Sequence, residues 1–416
     1  MHQQLSDLLK QIPSVTSVNV CPASEATVEK EVKDKFISTL GTDCFFTDIR
    51  KTTGQERRYF FSPAIVLTQD VFIKDFVDTV TKSIEQEQTL TTRNFAPGPA
   101  PLLAGVEDAI VQAIKEDKLL EMSHRSPEFA SILAEAKARL YSLSGLSSED
   151  YDILFLQGGA SLQFIMAPMN IKAYLAKDKI KGSYLVNGYW SQKAYEAGGQ
   201  VCHAVNTLDN DSDFLHYVSN DTVDGIQVPP QRIKGQLMIC DASSDFLTTD
   251  SPQADIIYVH AQKNLGISGV TIVFVKRELL NHSSFLPDYF NYKVHSNASS
   301  LFNTPPVVAI YSVLATLRVF PADVKVVTET KAKLLRDYLA TSKIYSVEGN
   351  SNVNVCFTTE KKDELLTFLE SKGIIGIEGH RSKGGLRVSL YIWTTQNDVA
   401  FLVNCLKEFE ANNIVK

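Results

Sequence analysis

Between residues 151 and 275 the chain alternates short apolar runs with amphipathic stretches, and this alternation constrains the fold more than any other feature. Residues 153–156 are an apolar run, and Gly158-Gly159-Ala160-Ser161 then opens a helical pattern over residues 162–173. Residues 183–186 are a second run, and Trp190 opens a second helix ending near Gly198. Further strand candidates follow at residues 201–205, 214–218, 237–240, 256–259 and 270–275. Short runs without polar alternation read as strands buried on both faces. Helices between them act as crossovers, so the pattern predicts an α/β domain with a mostly parallel sheet flanked by helices. In such a sheet, ligand-binding residues gather at the carboxyl ends of the strands.

The flanks divide the chain further. Residues 1–92 read as helix (6–12), strand (15–20), helix (27–40), strands (44–49 and 58–67) and helix (71–86), closing on a polar linker over residues 85–93. This is a small α/β segment with no catalytic constellation, suited to docking, regulation or oligomerisation. Prolines at 97, 99 and 101 with Gly98 then force a turning path. Helices follow over residues 102–115 and 127–144, the second started by Ser126-Pro127. Beyond Pro305-Pro306 come helical patterns at 307–318 and 321–341. Residues 352–357, 361–372, 374–377, 385–392 and 396–412 read as strand, helix, strand, strand, helix, a compact α+β unit. The expected division is residues 1–92 as an N-terminal extension, 93–310 as the large domain and 311–416 as the small C-terminal domain.

Composition limits the partners. A formal charge of −7 argues against a general nucleic-acid surface while leaving room for a local basic pocket. The six cysteines are scattered with no zinc-type spacing. The first residues have neither the basic nor the apolar region of a secretory signal, and no run approaches the roughly 18 apolar residues a membrane span needs. The expectation is a cytoplasmic protein with reduced thiols.

Several residues could carry chemistry. Lys263 sits in a glycine-spaced loop between two apolar runs, and a partly buried lysine there is a candidate Schiff-base nucleophile. Asp241 ends the run 237–240, where a carboxylate faces the cleft and would pair with a pyridine nitrogen. Trp190 lies just past another strand and offers an indole for stacking. Ala160 and Ser161 stand where a helix N-terminus would hold a phosphate. His124-Arg125 and His380-Arg381, with Arg387, repeat a pairing suited to carboxylate or phosphate. Taken singly, each has a plain alternative: a solvated lysine, a turn cap, a core tryptophan, a tight turn, a surface charge.

Taken together, these pieces resemble the phosphoserine aminotransferases, pyridoxal-phosphate enzymes of fold type I. The resemblance runs from Asn94 to about Phe409 and rests on FAPGPA, MSHRS, LQGGASLQF, NGYW, SNDTVDG, CDASSDFL, HAQKNLG, FNTPP and GHRSKGGLR, in that order. It implies that Lys263 carries pyridoxal 5'-phosphate, Asp241 binds the ring nitrogen and Trp190 stacks on the ring. It implies further that Thr222 reaches the ring hydroxyl, and that Ala160, Ser161 and Gln262 hold the cofactor phosphate. Asn303 and Thr304 would reach that phosphate from the other subunit of a homodimer. His124, Arg125, His380 and Arg381 would bind the substrate phosphate, and Arg387 the α-carboxylate. The implied reaction moves an amino group between glutamate and 3-phosphooxypyruvate, giving 2-oxoglutarate and O-phosphoserine for serine biosynthesis. A related enzyme using alanine or serine with glyoxylate is the alternative. A non-catalytic scaffold is disfavoured by the intact Lys263, Asp241 and Trp190. The chain departs from the family pattern in its first 92 residues, at Ile392 in place of the usual asparagine, and in a shorter small domain near residues 342–352.

Overall fold

The computed structural model describes residues 92–229, 232–233, 235–283 and 286–414, and three strands nearer the N-terminus. The chain divides into two compact units, Met1–Thr91 and Thr92–Lys416.

In the first unit, β1 (Val15–Pro22), β2 (Phe45–Lys51) and β3 (Arg57–Ser62) form an antiparallel sheet in that order. The strands expected at 15–20, 44–49 and 58–67 overlap these. The helices expected at 6–12, 27–40 and 71–86 lie outside the described residues, as does the linker at 85–93 apart from its last two residues.

In the second unit, β4 (Arg93–Asn94) is followed by α1 (Val106–Glu116) and α2 (Pro127–Ser144). The Ser126 hydroxyl accepts from the Phe129 amide at 3.2 Å, and Pro127 fills the first helical turn, so α2 starts where the sequence places it. Phe129, Leu133, Ala136 and Leu140 recur on one buried stripe of α2.

The central elements are β5 (Tyr151–Gln157), α3 (Ala160–Leu175), β6 (Lys181–Tyr184), α4 (Tyr189–Gly198), β7 (His203–Val205) and β8 (Phe214–Val218). A short hairpin of β9 (Asn220–Asp221) and β10 (Ile226–Gln227) follows, then β11 (Leu237–Asp241), β12 (Ile256–His260) and β13 (Val270–Lys276). They build a seven-stranded sheet in the order β5-β13-β12-β11-β8-β6-β7. All neighbours pair in parallel except β13, which runs antiparallel to both β12 and β5. The sheet is therefore mostly parallel.

Both faces of this sheet are covered, and alternate residues of each strand feed different cores. Ile153, Phe155, Ile257, Val259, Ile272 and Phe274 join one core with α2; Leu154, Leu156, Ile256, Tyr258, Val273 and Val275 join the other with α3. Each such buried aliphatic or aromatic side chain contributes about 1.5–3 kcal/mol. Burial on both faces explains why these strands carry no polar alternation.

The chain continues through α5 (Tyr292–Asn297), α6 (Val307–Arg318) and α7 (Val324–Thr341). Then come β14 (Ser346–Glu348), β15 (Asn354–Thr358), α8 (Lys362–Ser371), β16 (Ile374–Ile375), β17 (Leu386–Ser389) and α9 (Gln396–Ile414). Strands β14, β15 and β17 form an antiparallel sheet that packs with α7, α8 and α9 into a separate core. Phe95 is fully buried in that core, and β4 pairs with β16. The segment before the large sheet is thus stitched into the small domain, and α6 is buried in the large one.

Candidate active site

The carboxyl ends of β5, β8, β11 and β12 open on one cavity of about 310 Å3. Gly158 turns the chain off β5 with φ +98°, and Gly159 leads into α3 at Ala160 and Ser161, which line the cavity. The first amides of a helix lack intrahelical acceptors and sit at the positive end of its dipole, so this corner favours an anion. The Ser161 hydroxyl and the Gln262 amide line the same cavity. Gly98, at φ +137°, packs against Lys263: a Cβ there would stand 3.6 Å from Lys263 Cγ.

Asp241 ends β11 and is 6% exposed. Its Oδ1 accepts from the Ser243 amide at 2.9 Å. Burial pushes its carboxyl above the usual range, against the opposing pull of Lys263. Lys263 is pushed the other way, below the usual ammonium range, chiefly by burial; Asp241 and Asp221 oppose that shift and Arg387 adds to it. A buried amine with lowered basicity is a better nucleophile and proton carrier. A cationic ring nitrogen beside Asp241 would restore the charge that burial disfavours.

The other wall comes from α4 and the β9–β10 hairpin. Asp221 Oδ2 accepts from the Trp190 amide at 2.7 Å, and the Trp190 indole N–H donates to Thr222 Oγ1 at 3.1 Å. This fixes the indole and leaves the Thr222 hydroxyl hydrogen free to donate. Gly188 allows the contact: a Cβ there would lie 2.5 Å from Asp221 Oδ2. Arg387 on β17 enters from the small domain, 5% exposed, and its Nη1 donates to the Thr222 carbonyl at 2.7 Å. Burial lowers its basicity, and its Nε is buried without a protein acceptor. His380 closes the cavity, its ring 4.8 Å from that of Tyr189, and burial with Arg387 and Arg381 nearby lowers its pKa.

Of the residues singled out in the sequence, the cavity brings together Ala160, Ser161, Trp190, Thr222, Asp241, Gln262, Lys263, His380 and Arg387. Arg381 is exposed next to His380, outside the lining, and Arg125 is exposed ahead of α2 with His124 half-buried beside it. Asn303 Nδ2 donates to Gln157 Oε1 at 2.9 Å, and Gln157 Nε2 donates to the Thr304 carbonyl at 2.5 Å. Those two residues therefore sit at the exposed end of β5, outside this chain's cavity. The Ile392 side chain is not in the lining either; its amide donates to Asn264 Oδ1 at 3.2 Å.

Sequence reasoning missed Asn220, Ser244 and His260. Asn220 bridges Ser244 Oγ and Asn354 Oδ1, both at 2.8 Å. His260 lines the cavity with its pKa held down to about 4, mainly by burial. The position of His260 at the end of β12, three residues before Lys263, was the available signal.

A planar, phosphorylated pyridine ring fits this donor set. In such a fit the helix N-terminus would take the phosphate, Asp241 the ring nitrogen, the indole a ring face, and Lys263 the carbonyl carbon.

The class-V aminotransferase family model matches residues 94–402. A phosphoserine aminotransferase from Parabacteroides distasonis is 36% identical over 76% of this chain and 98% of its own length. One from Limosilactobacillus fermentum is 37% identical over 73% of this chain and 94% of its own. Among solved structures, phosphoserine aminotransferase from Bacillus circulans subsp. alkalophilus is 31% identical with a TM-score of 0.72, covering 77% of this chain and 98% of that one.

Proposed function

We propose, from the premise that this chain belongs to the class-V aminotransferases and within them to the phosphoserine aminotransferases, a role for each residue of the cavity. The enzyme is a pyridoxal-phosphate-dependent transaminase of fold type I. It moves an amino group reversibly between glutamate and 3-phosphooxypyruvate, giving 2-oxoglutarate and O-phospho-L-serine in the route to L-serine.

When bound, the cofactor supplies an electron sink for the carbanion at the substrate Cα. Lys263 would hold the cofactor and, with its amine free, would carry the Cα proton as base and acid. Its lowered basicity keeps the amine ready for that transfer. Asp241 holds the ring nitrogen protonated. Trp190, fixed by Asp221 and Thr222, covers one ring face and excludes water. Thr222 donates toward the ring hydroxyl. Ala160, Ser161 and Gln262 anchor the phosphate. Arg387 takes the α-carboxylate, common to both amino donors. His380 and Arg381 take the distal anion, the phosphate of one substrate or the side-chain carboxylate of the other. The observation that carries this reading is buried Asp241 and half-buried Lys263 lining one cavity with a helix N-terminus, each shifting the other's titration.

Asn303 and Thr304 complete the phosphate site from a second copy, so the active form is a homodimer with shared sites. The support is their place at the exposed end of β5, outside their own cavity. His124 and Arg125 join His380 and Arg381 in binding the substrate phosphate. Residues 1–92 form an appended unit, 93–310 the large domain and 311–416 the small one, with β4 and Phe95 crossing to the small core and α6 to the large. The free thiols of Cys202, Cys240, Cys356 and Cys405 favour the reducing cytoplasm. No helix among the described residues is long and apolar enough to cross a membrane.

The purified protein with pyridoxal phosphate should show the visible absorbance band of a lysine-bound cofactor, and Lys263→Ala should lose it. A colourless wild-type protein would overturn the reading.

A further inference from the structure

Among the described residues, Lys331 is the one lysine among the largest fully buried side chains, at 1% exposed, and the chemistry above does not use it. It lies on α7, in the small domain. A buried ammonium is costly unless each of its three N–H groups finds an acceptor. Here they do: Nζ donates to the carbonyls of Leu390 at 3.2 Å, Tyr391 at 2.8 Å and Thr394 at 2.9 Å. A neutral amine has two N–H groups and a lone pair, and could satisfy only two of the three carbonyls. Burial pulls the pKa down to about 8, which leaves the ammonium dominant at neutral pH. The carbonyl cage thus behaves like a cation site whose cation is covalently supplied.

The caged segment, residues 390–394, begins where β17 ends and reaches the Lys263 loop on both sides. The Tyr391 hydroxyl donates to the Pro97 carbonyl at 2.8 Å, and Pro97 leads into Gly98, which packs on Lys263. The Ile392 amide donates to Asn264 Oδ1 at 3.2 Å, and Asn264 is the residue after Lys263. Asn264 Nδ2 in turn donates to the Ser244 carbonyl at 2.8 Å, and the Ala100 amide to the Gln262 carbonyl at 2.9 Å. Arg387 stands on the strand just before the cage. A single ammonium therefore ties the segment that follows the α-carboxylate arginine to both flanks of the cofactor lysine.

We propose that Lys331 is a positioning residue for the amino transfer: it shapes residues 390–394 so that Tyr391 and Ile392 hold the Lys263 loop in register with the cofactor. The proposal rests on Lys263 being the cofactor lysine. It assigns a use to Ile392 that depends on its amide and not on its side chain, so the departure from asparagine there leaves the grip intact.

The test uses the full chain as holoenzyme, with Lys331→Met, Tyr391→Phe and the double variant. Misplacing a reacting lysine costs kcat far more than it costs substrate affinity, so Lys331→Met should lower kcat about tenfold with KM within about twofold. It should also shift the pH titration of the visible absorbance band, a readout independent of turnover. Tyr391→Phe keeps the ring in the core and removes one tie, so it should shift the band and lower kcat by roughly threefold, with only the small drop in melting temperature that one lost hydrogen bond brings. Because both act through one segment, the double variant should fall no further than about the Lys331→Met level. A Tyr391→Phe enzyme with unchanged kcat and titration overturns the proposal, whether or not Lys331→Met folds. So does a double variant showing the full product of the two losses. A wild-type protein without the band sinks the Lys263 assignment instead, which separates the two failures.

Discussion

Arg387→Met is the substitution whose effect the cavity fixes most closely. The guanidinium is 5% exposed, Nη1 is spent on the Thr222 carbonyl at 2.7 Å, and Nε is buried without a protein acceptor. Methionine keeps much of the volume and removes every donor. Removing one partner of a buried, hydrogen-bonded charge pair costs about 2–5 kcal/mol. At about 1.4 kcal/mol per factor of ten, kcat/KM should fall roughly 30- to 5,000-fold. The loss should be the same for glutamate and for O-phosphoserine, because both present the same α-carboxylate. The assay is steady-state turnover with each amino donor, alongside cofactor absorbance, which should stay at the wild-type level. A loss of less than about threefold would refute the reasoning, since the pair would then contribute less than an exposed one. A loss confined to O-phosphoserine would move Arg387 to the distal anion and leave the α-carboxylate without its assigned partner.

Arg381→Ala should raise KM for O-phosphoserine about tenfold or more, as expected for a charge-assisted contact, while leaving cofactor titration unchanged; an unaltered KM would remove Arg381 from substrate binding. Deleting residues 1–92 should leave measurable transamination and a visible band, and loss of both would show that unit to be integral to the enzyme. Acid stability should depend on His216, fully buried with Nε2 2.7 Å from Tyr258 Oη and its pKa lowered to about 3 by burial. The unfolded chain binds a proton near 6.5 that the folded chain refuses, so stability falls as pH drops from about 6.5 toward 3, by at most about 5 kcal/mol. Melting temperature against pH should therefore slope less steeply in His216→Phe than in wild type over that range, and parallel curves would rule the histidine out as the cause.

The large sheet was legible because its strands are buried on both faces. Ile256 to Val259 carries no polar residue to blur the strand, and a serine-proline start marks α2 without ambiguity. Asp241 and Lys263 were legible as residues at strand ends, where the topology places a cleft. The hairpin β9–β10 was not, because its two-residue strands are too short for periodicity, and with it went Asn220. Its neighbours Ser244 and Asn354 are far apart in sequence and meet only through tertiary packing. The six residues of α5, Tyr292–Asn297, are too few and too polar to show a helical stripe. The strand expected over 385–392 ends at Ser389, because the next residues bend around the Lys331 ammonium. The FAPGPA stretch stood out in the sequence, but its packing against Lys263 is a long-range contact that no local pattern encodes.

The most direct test of the central claim is the ratio of kcat/KM for O-phosphoserine over serine, with 2-oxoglutarate as acceptor. A site that spends His380 and Arg381 on a distal anion should prefer the phosphorylated donor by about tenfold for each charge-assisted contact, roughly a hundredfold for the two together. A ratio near unity would contradict the account and point to a transaminase for a small, uncharged amino acid.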